Sequence, residues 1–454
     1  MTRTSRYLWA VSSVIAGGLL AIGHRGGALC IVPAIFFILY LARSNPSGLT
    51  LHACALGATE SIALVELWSL SSTAGFLSIC VFGTYRALSV TALAWLYRRG
   101  VSSPWMIGSS WSLFEALHAL VPFSVPNIVG ECLIDTPLDV FIIGLGSLGT
   151  SAVVVSLSAM LVRRQRGLVP GLVIGFLFLA MVASFGGQQN TSMSLGRSLS
   201  SAEVLMVRGG LRLQEYSKVD GLERYQTLTD AFHHANVGLI IWPETATGSV
   251  WNRDQKFMRV VQEYGYKVPF LLGATRIEED GRPYNGALFS DPSGVQILDK
   301  ARRVWPIEQS YAAGSSTQSI QTPIGRFRVL ICADILNPFS SLSITNEKSE
   351  GLIILADATR FTGTELARMH VRRARIRAME AGTAALFVEQ SERLVVIGSR
   401  GEVVDQSVMA FEPGTLSTTL PQARSAKPSY YWFVVWGLFL AGALAEERWM
   451  RRMR

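Results

Sequence analysis

RVLICAD, residues 328–334, begins with an apolar strand-like run that ends in Cys332. VGLIIWPETA, residues 237–246, is a second run of this kind, and it leads into Glu244. Short runs rich in aliphatic and β-branched residues predict buried strands. A thiol and a carboxylate therefore each follow a predicted strand, at the point where the strand gives way to a loop.

Short β-rich segments alternate with helical ones from about residue 201 onward. Strands are predicted at 204–207, 237–242, 268–273, 287–290, 326–332, 352–355 and 384–388, and helices at about 219–235, 252–265 and 364–381. This alternation predicts an α/β layered domain over residues 201–412. Polar and proline-containing stretches predict an entry linker at 186–200 and an exit linker at 413–429.

The rest of the chain consists of apolar runs of membrane length. Of its 454 residues, 49% are hydrophobic and only 16% are charged, which lies outside the usual range of soluble proteins. Runs of about 20 apolar residues predict transmembrane helices, here at about 7–23, 28–42, 49–70, 75–97, 104–121, 138–162, 168–185 and 430–446. We therefore predict a bundle of seven helices over 1–185, its first helix retained as an anchor, then an eighth at 430–446 with a basic tail at 447–454.

The arginines orient these predicted helices, because positively charged loops resist translocation. A cytoplasmic N-terminus places the arginine-rich loops and the basic tail inside, with only Arg25 in a short outer loop. Residues 186–429 then lie on the outer face, which in a bacterium predicts an inner-membrane protein with a periplasmic domain. The net charge of +8 follows largely from this topology, so it does not indicate nucleic-acid binding.

Cys332 is the one cysteine of the predicted outer domain. A thiol attacks a carbonyl carbon as a thiolate, which requires a proton acceptor, a nearby positive charge and donors for the oxyanion. Glu244 is a candidate base, because Trp242 and Pro243 would desolvate it and desolvation raises the pKa of a carboxyl group. Lys300 is the candidate positive charge. The alternative for each is structural: a core cysteine, a surface glutamate and a solvated lysine.

Several motifs in both halves of the chain resemble one known family. They are the segment 137–161 in the membrane half, WPETA at 242–246, GA at 273–274, YNGA at 284–287, Lys300 with Glu308, Cys332 with Ile335 and Pro338, and His370 with RIRAMEAG at 375–382. The chain order of glutamate, lysine and cysteine resembles the catalytic triad of the nitrilase, or carbon-nitrogen hydrolase, superfamily. Together with the predicted membrane helices, it resembles the apolipoprotein N-acyltransferase branch.

The resemblance implies an αββα sandwich and a ping-pong reaction. Glu244 would deprotonate Cys332, which would take an acyl chain from a phospholipid as a thioester while Lys300 stabilises the oxyanion. Glu308 would position the lysine, and Asp334, in the place of a family glutamate, is a second candidate for that supporting role. The acceptor would be the N-terminal amine of an apolipoprotein or another amine, and no metal or other cofactor is expected.

The chain also departs from that family. Ala333 stands in the place of a tyrosine, and 31 residues separate Lys300 from Cys332, where the family usually carries a longer lid. A short lid favours a second hypothesis, a membrane-anchored amide hydrolase in which water replaces the amine. A third is a non-catalytic nitrilase-like component of a conjugal-transfer system.

Overall fold

The structure is a computed structural model, and it describes residues 14–16, 19, 34–35, 38–39, 72–99, 101, 103–120, 128–136, 138–163, 202–216, 220–232, 236–304, 308–314, 319–341, 349–421, 437, 441, 444 and 448. The chain divides into two compact units. The first, which we call the helical unit, comprises Met1–Ser192 and Tyr430–Arg454. The second, the sandwich unit, comprises Met193–Ser429.

Three α-helices lie in the described part of the helical unit: α1 Ser72–Arg98, α2 Pro104–Leu120 and α3 Val140–Arg163. They coincide with three of the predicted spans, and α3 is interrupted by the non-helical backbone of Gly146. Among the described residues, Val140–Met160 is the single helical segment long and apolar enough to cross a membrane. The other five predicted spans fall largely outside the described residues, so the eight-helix bundle stays a prediction.

A buried glutamate holds a short 3₁₀ turn in the helical unit. Glu115 of α2 accepts hydrogen bonds from the Trp111 indole at 2.8 Å and from the Val129 backbone N–H at 2.9 Å. The next amide, Gly130 N–H, donates to the Ser151 hydroxyl of α3 at 2.7 Å. These side chains satisfy backbone donors that the turn Val129–Leu133 leaves unpaired, so Glu115 here serves packing.

The described part of the sandwich unit contains three α-helices, several short 3₁₀ turns and twelve strands. The helices are α4 Gly221–Ala231, α5 Gln255–Lys267 and α6 Glu365–Ala381. The strands are β1 Glu203–Arg208, β2 Val237–Ile241, β3 Phe270–Ile277, β4 Pro283–Asp291, β5 Gly294–Asp299, β6 Ser319–Thr322, β7 Gly325–Ile331, β8 Gly351–Ala356, β9 Ala384–Glu389, β10 Arg393–Ile397, β11 Val403–Val408 and β12 Gly414–Thr418.

These strands form two six-stranded sheets. The first sheet has the order β12-β1-β2-β3-β4-β5, and the second has the order β11-β10-β9-β8-β7-β6. Each sheet has a parallel centre, β1-β2-β3 in the first and β7-β8-β9 in the second, flanked by antiparallel neighbours. Parallel strands present their carboxyl ends at one edge of a sheet, which is where ligand sites of such sheets form.

Three apolar layers hold the sandwich together. The central cluster joins both sheets through side chains such as Met206, Ile241, Val329 and Leu386. A second cluster packs the first sheet against α4 and α5, and a third packs the second sheet against α6. Burying one such aliphatic or aromatic side chain contributes about 1.5–3 kcal/mol. The layers are therefore helix, sheet, sheet, helix, and the predicted αββα sandwich is confirmed.

The sequence-based prediction placed seven of the eight inner strands and three α-helices but omitted β5, β6, β10, β11 and β12. Four of these, β5, β6, β11 and β12, are the edge strands of the two sheets and are short or exposed, so their alternation is weak. The exit linker predicted at 413–429 is corrected by β12, which pairs antiparallel with β1. Its sequence, GTLST, looks like a linker and becomes a strand through that pairing.

Candidate active site

The candidate residues lie just after strands of both sheets. Glu244 follows β2, Lys300 follows β5, Cys332 follows β7, and all three line one cavity. β5 runs in the same direction as β3, because two antiparallel pairings separate them. The fold thus brings together three side chains that are far apart in the sequence.

Lys300 stands between two carboxylates. Its ammonium donates to Glu244 Oε1 at 2.8 Å and to Glu308 Oε1 at 2.8 Å. All three side chains are almost entirely buried, with Lys300 and Glu244 each 2% exposed. Buried charges require such pairing, since an isolated ion inside a protein is strongly disfavoured.

Asn285 of β4 links the same two carboxylates. Its side-chain amide donates to Glu244 Oε1 at 2.7 Å and to Glu308 Oε1 at 2.8 Å. The outer oxygen of each carboxylate accepts a backbone N–H, from Asp357 at 2.9 Å for Glu244 and from Val304 at 2.7 Å for Glu308. Both carboxylates are therefore fixed on both oxygens, which preorganises the site.

Cys332 opens a 3₁₀ turn, Cys332–Leu336, directly after β7. Its backbone has a φ of +46°, a left-handed conformation that is uncommon for residues other than glycine and is found at functional sites. Asp334 braces this turn, because it accepts the N–H groups of Ile331 at 3.2 Å and Arg302 at 2.7 Å. Its carboxylate thus ties the cysteine turn to the segment that follows Lys300.

Burial and charge set the protonation states of the site. Burial, and then the negative charge of Glu244, raises the pKa of Cys332 well above its ordinary value, so the resting group is a thiol. Burial also raises the pKa of Glu244. Burial alone would lower the pKa of Lys300, but the negative charges around it, of Cys332 once it is ionised and of Glu244 and Glu308, outweigh burial and hold this pKa well above the usual range. A neutral thiol beside a carboxylate needs that carboxylate as its base.

The cavity at this site has a volume of about 340 Å³. Its wall includes the polar groups of the site together with Tyr216, Val304, Tyr311 and Phe361. Cys332 is 9% exposed and lines this cavity. Pockets of this kind, largely apolar with a few convergent polar groups, bind small molecules.

Several expectations are sharpened by the contacts. Glu308, and not Asp334, touches the lysine ammonium, while Asp334 bonds only to backbone N–H groups among the contacts above. Trp242 packs its ring against Tyr225 and Phe270, with centroids 4.8 and 4.7 Å away. Trp242 lies in the cluster that packs the first sheet against α4 and α5, and burial of Glu244 raises its pKa as expected.

Two residues that hold Glu244 were not assigned a role by the sequence analysis. Asn285 appeared only within the YNGA resemblance, and Asp357 was not noticed. The position of Asp357 could have identified it, because it comes directly after β8. Glu244 and Cys332 likewise come just after β2 and β7. In the described part of the chain no group of His, Cys, Asp and Glu side chains could hold a metal ion.

Comparison with known proteins shows the family of this chain. Residues 181–427 match the carbon-nitrogen hydrolase family, and the chain belongs to that family. Two curated relatives are the apolipoprotein N-acyltransferases of Agrobacterium fabrum, 21% identical over 81% of this chain and 78% of the relative, and of Rhizobium meliloti, 22% identical over 84% and 80%. A carbon-nitrogen hydrolase superfamily structure from Xanthomonas campestris aligns with a TM-score of 0.41, 16% identity, and coverage of 48% of this chain and 90% of that one.

Proposed function

We propose that this chain is a membrane-bound N-acyltransferase that moves an acyl chain from a phospholipid, through a thioester on Cys332, to an amine such as the N-terminus of an apolipoprotein. The observation that carries the proposal is the shared ion pair: Lys300 lies 2.8 Å from both Glu244 and Glu308, beside the cavity that Cys332 lines. The names of relatives that align with about 80% of the chain support the acyl-transfer chemistry.

In the first half-reaction, Glu244 accepts the thiol proton of Cys332 as the sulfur bonds to the carbonyl carbon of the phospholipid ester. The oxyanion that develops is stabilised by the Lys300 ammonium, which Glu308 holds in place, while the Asn285 amide holds the Glu308 carboxylate. When the intermediate collapses, the carbon–oxygen ester bond breaks and the leaving alkoxide takes the proton from Glu244. The products are the thioester and a lysophospholipid.

In the second half-reaction, the amine of the acceptor attacks the thioester carbon. Glu244 accepts a proton from the attacking nitrogen, the carbon–sulfur bond breaks, and the thiolate recovers the proton as the amide leaves. Glu244 thus acts as the base in both half-reactions, as is common in covalent catalysis. No step needs an oxidant, a metal or another co-reactant.

The location belongs to the same proposal. The apolar runs over 1–185 and 430–446 would place the chain in a bacterial inner membrane, with the sandwich unit in the periplasm and the tail 447–454 inside. An acyl donor has its tails in the bilayer, so a thiol anchored to that bilayer meets it without extraction. β12 extends the catalytic domain beyond residue 412, to at least 418.

Intact-protein mass spectrometry after purification from membranes tests this function. We expect a fraction of the wild type to carry an added fatty-acyl mass, and Cys332→Ser to carry no hydroxylamine-labile acyl group. The matched control is Cys132→Ser, which replaces a buried cysteine of the helical unit and should keep the added mass. A wild-type protein that stays a bare thiol with labelled phospholipid would overturn the proposal.

The second half-reaction separates transferase from hydrolase. With labelled phospholipid and an amine-bearing lipopeptide, the proposal predicts labelled amide that depends on the lipopeptide concentration. Free labelled fatty acid, formed at the same rate with or without the lipopeptide, would instead identify an amide or ester hydrolase. Full biological activity of Cys332→Ala would favour a non-catalytic component.

A further inference from the structure

A carboxylate outside the triad lies at the centre of a hydrogen-bond network beside Glu244. Asp357, directly after β8, accepts from the Tyr216 hydroxyl at 3.0 Å, the Thr245 hydroxyl at 2.5 Å and the Thr359 N–H at 3.0 Å. Its donors come from three separate segments of the chain. An ionised carboxylate offers about four acceptor sites, and this one also accepts the Thr359 hydroxyl, so its capacity is filled by protein.

One of these donors is attached to a strained backbone. Thr245, the residue after Glu244, has a φ of +49°. A β-branched residue at positive φ is an outlier, and such a conformation costs about 1–3 kcal/mol unless the surroundings hold it. The bond from its hydroxyl to Asp357 is a contact that holds it, and through Thr245 it also fixes the direction in which Glu244 leaves the main chain.

The main chain of Asp357 acts on the same glutamate. Its N–H donates to Glu244 Oε2 at 2.9 Å, on the opposite oxygen from Lys300 and Asn285. The loop that carries Asp357 is anchored further along, where the Thr362 hydroxyl donates to the Ser391 hydroxyl at 2.7 Å. Hydrogen bonds at both ends of this loop therefore hold Asp357 in place.

We propose that Asp357 is a positioning residue for Glu244: its side chain holds Thr245 in the left-handed conformation while its backbone N–H holds the outer oxygen of the base. This inference rests on the proposed role of Glu244 as the base for Cys332. It deepens that proposal by assigning the network of Tyr216, Thr245, Thr359 and Asp357 a task in the reaction.

The test uses the full-length protein in detergent or nanodiscs and three variants. Asp357→Ala removes the network, and Asp357→Asn removes its charge but keeps its shape, because the Tyr216 and Thr245 hydroxyls can accept from an amide. The control is Asp230→Ala, a carboxylate of the same unit that accepts the Tyr264 hydroxyl at 2.6 Å, away from the site. Melting temperatures establish that each variant is folded.

The first readout is the rate of alkylation of Cys332 by iodoacetamide from pH 5 to 9, located by peptide mass spectrometry. A displaced base costs about 100-fold for a 1 Å error, so we expect a loss of about 10-fold to 100-fold in Asp357→Ala and no change in Asp230→Ala. Wild-type rates in Asp357→Ala would overturn the inference.

The acid side of the pH profile gives a readout that a merely structural residue would not move. Burial raises the pKa of Glu244, the positive charge of Lys300 lowers it, and the negative charges of Glu308 and Asp357 raise it further. In Asp357→Asn the fall in rate should therefore occur at lower pH, with Lys300, Glu308 and Cys332 still facing the base. An unchanged profile in a folded Asp357→Asn protein would count against the inference.

A double variant tests the strain directly. Glycine adopts positive φ readily, so Asp357→Ala combined with Thr245→Gly should recover a large part of the rate that Asp357→Ala loses. Absence of any recovery would contradict the role of Thr245. Alkylation does not require acyl transfer, so these results stand or fall separately from thioester formation, whose failure in the wild type would overturn the proposed function alone.

Discussion

The two units each bury a glutamate to nearly the same extent, and the two side chains have different surroundings. Glu115 in the helical unit is 3% exposed and Glu244 in the sandwich unit is 2% exposed. The hydrogen bonds described for Glu115 come from neutral donors, the Trp111 indole and the Val129 N–H. Glu244 has an ammonium, an amide and a backbone N–H on its two oxygens and a thiol beside it.

Burial of a carboxylate therefore does not by itself indicate chemistry. The Glu115 carboxylate accepts the Val129 N–H of the turn and so joins α2 to the segment before α3. The charged and polar donors of Glu244 keep a proton acceptor fixed at the wall of a cavity. A nucleophile and a cavity beside the carboxylate, together with the cation that it shares with Glu308, distinguish Glu244 as the candidate functional carboxylate.

The largest expected difference is catalytic. Glu244→Gln keeps the volume but removes the base, and general-base catalysis contributes about 10²–10⁴-fold, so thioester formation should slow by that factor. Glu115→Gln should leave the rate per folded molecule unchanged and lower only the melting temperature. Single-turnover formation of the labelled thioester measures the rate of each variant. Equal losses of rate in the two variants would contradict the distinction between the two glutamates.

The next effect is on stability. Lys300→Met leaves Glu244 and Glu308 buried without their shared cation, and removing one partner of a buried pair costs about 3–5 kcal/mol. Denaturant unfolding of the sandwich unit measures this loss. Lys256→Met, which removes an exposed pair with Asp220, is the control and should change stability little. A stable Lys300→Met protein would show that the two carboxyls are protonated in the folded state.

A third buried glutamate gives a pH-dependent effect. Glu389 accepts the N–H groups of Ser391 at 3.2 Å and Arg393 at 3.1 Å, and burial raises its pKa from 4.5 to about 7. The folded state then holds this proton more tightly than the unfolded state does, so the stabilisation is complete below pH 4.5 and is lost as pH rises to about 7.

A pKa rise of this size corresponds to about 3 kcal/mol. Free energies of unfolding measured between pH 4 and 8 should therefore fall less steeply in Glu389→Gln than in the wild type. Asp334, whose pKa burial raises to about 6, contributes a slope of the same sign in both proteins, so the difference between the two curves isolates Glu389. Parallel curves would contradict the prediction.

The smallest effect concerns two glycines, one packed against Glu244 and one in the turn that Glu115 holds. A Cβ on Gly273 would stand 2.3 Å from the Cα of Glu244, and one on Gly130 would stand 2.0 Å from the Ser147 carbonyl oxygen. Overpacking typically costs about 1–3 kcal/mol, so both alanine variants should melt earlier. Only Gly273→Ala should also slow alkylation of Cys332, and a slowed Gly130→Ala would remove the distinction.

The sequence was sufficient for the sandwich, since strong apolar runs mark β2, β7 and β8 and each ends near a reactive or polar side chain. The three candidate residues predicted from it, Glu244, Lys300 and Cys332, line one cavity, and their catalytic roles stay a prediction. It was insufficient for β5, β6, β11 and β12, because exposed or edge strands derive their order from pairing with neighbours. β10, RLVVI, has a buried-strand pattern that the prediction omitted.

The candidate site likewise contains residues that were predicted from the sequence and residues that were not. Glu244, Lys300, Cys332 and Glu308 are residue types that carry chemistry, and their order resembles a known triad. The contribution of Asp357 depends on a backbone N–H and on hydroxyls from distant segments, which no local pattern encodes. Asp334 was predicted as a supporting acid, and its contacts with backbone N–H groups emerge only from the folded turn.

The site spans the boundary between two sheets. Glu244 and Lys300 follow strands of the first sheet, while Cys332 and Asp357 follow strands of the second. A small sliding of one sheet over the other would leave the ion pair intact and would change the gap between sulfur and ammonium. The reactivity of the thiol should therefore respond to such sliding. Mild pressure or sub-denaturing urea should lower the rate of Cys332 alkylation while circular dichroism still records a fully folded chain.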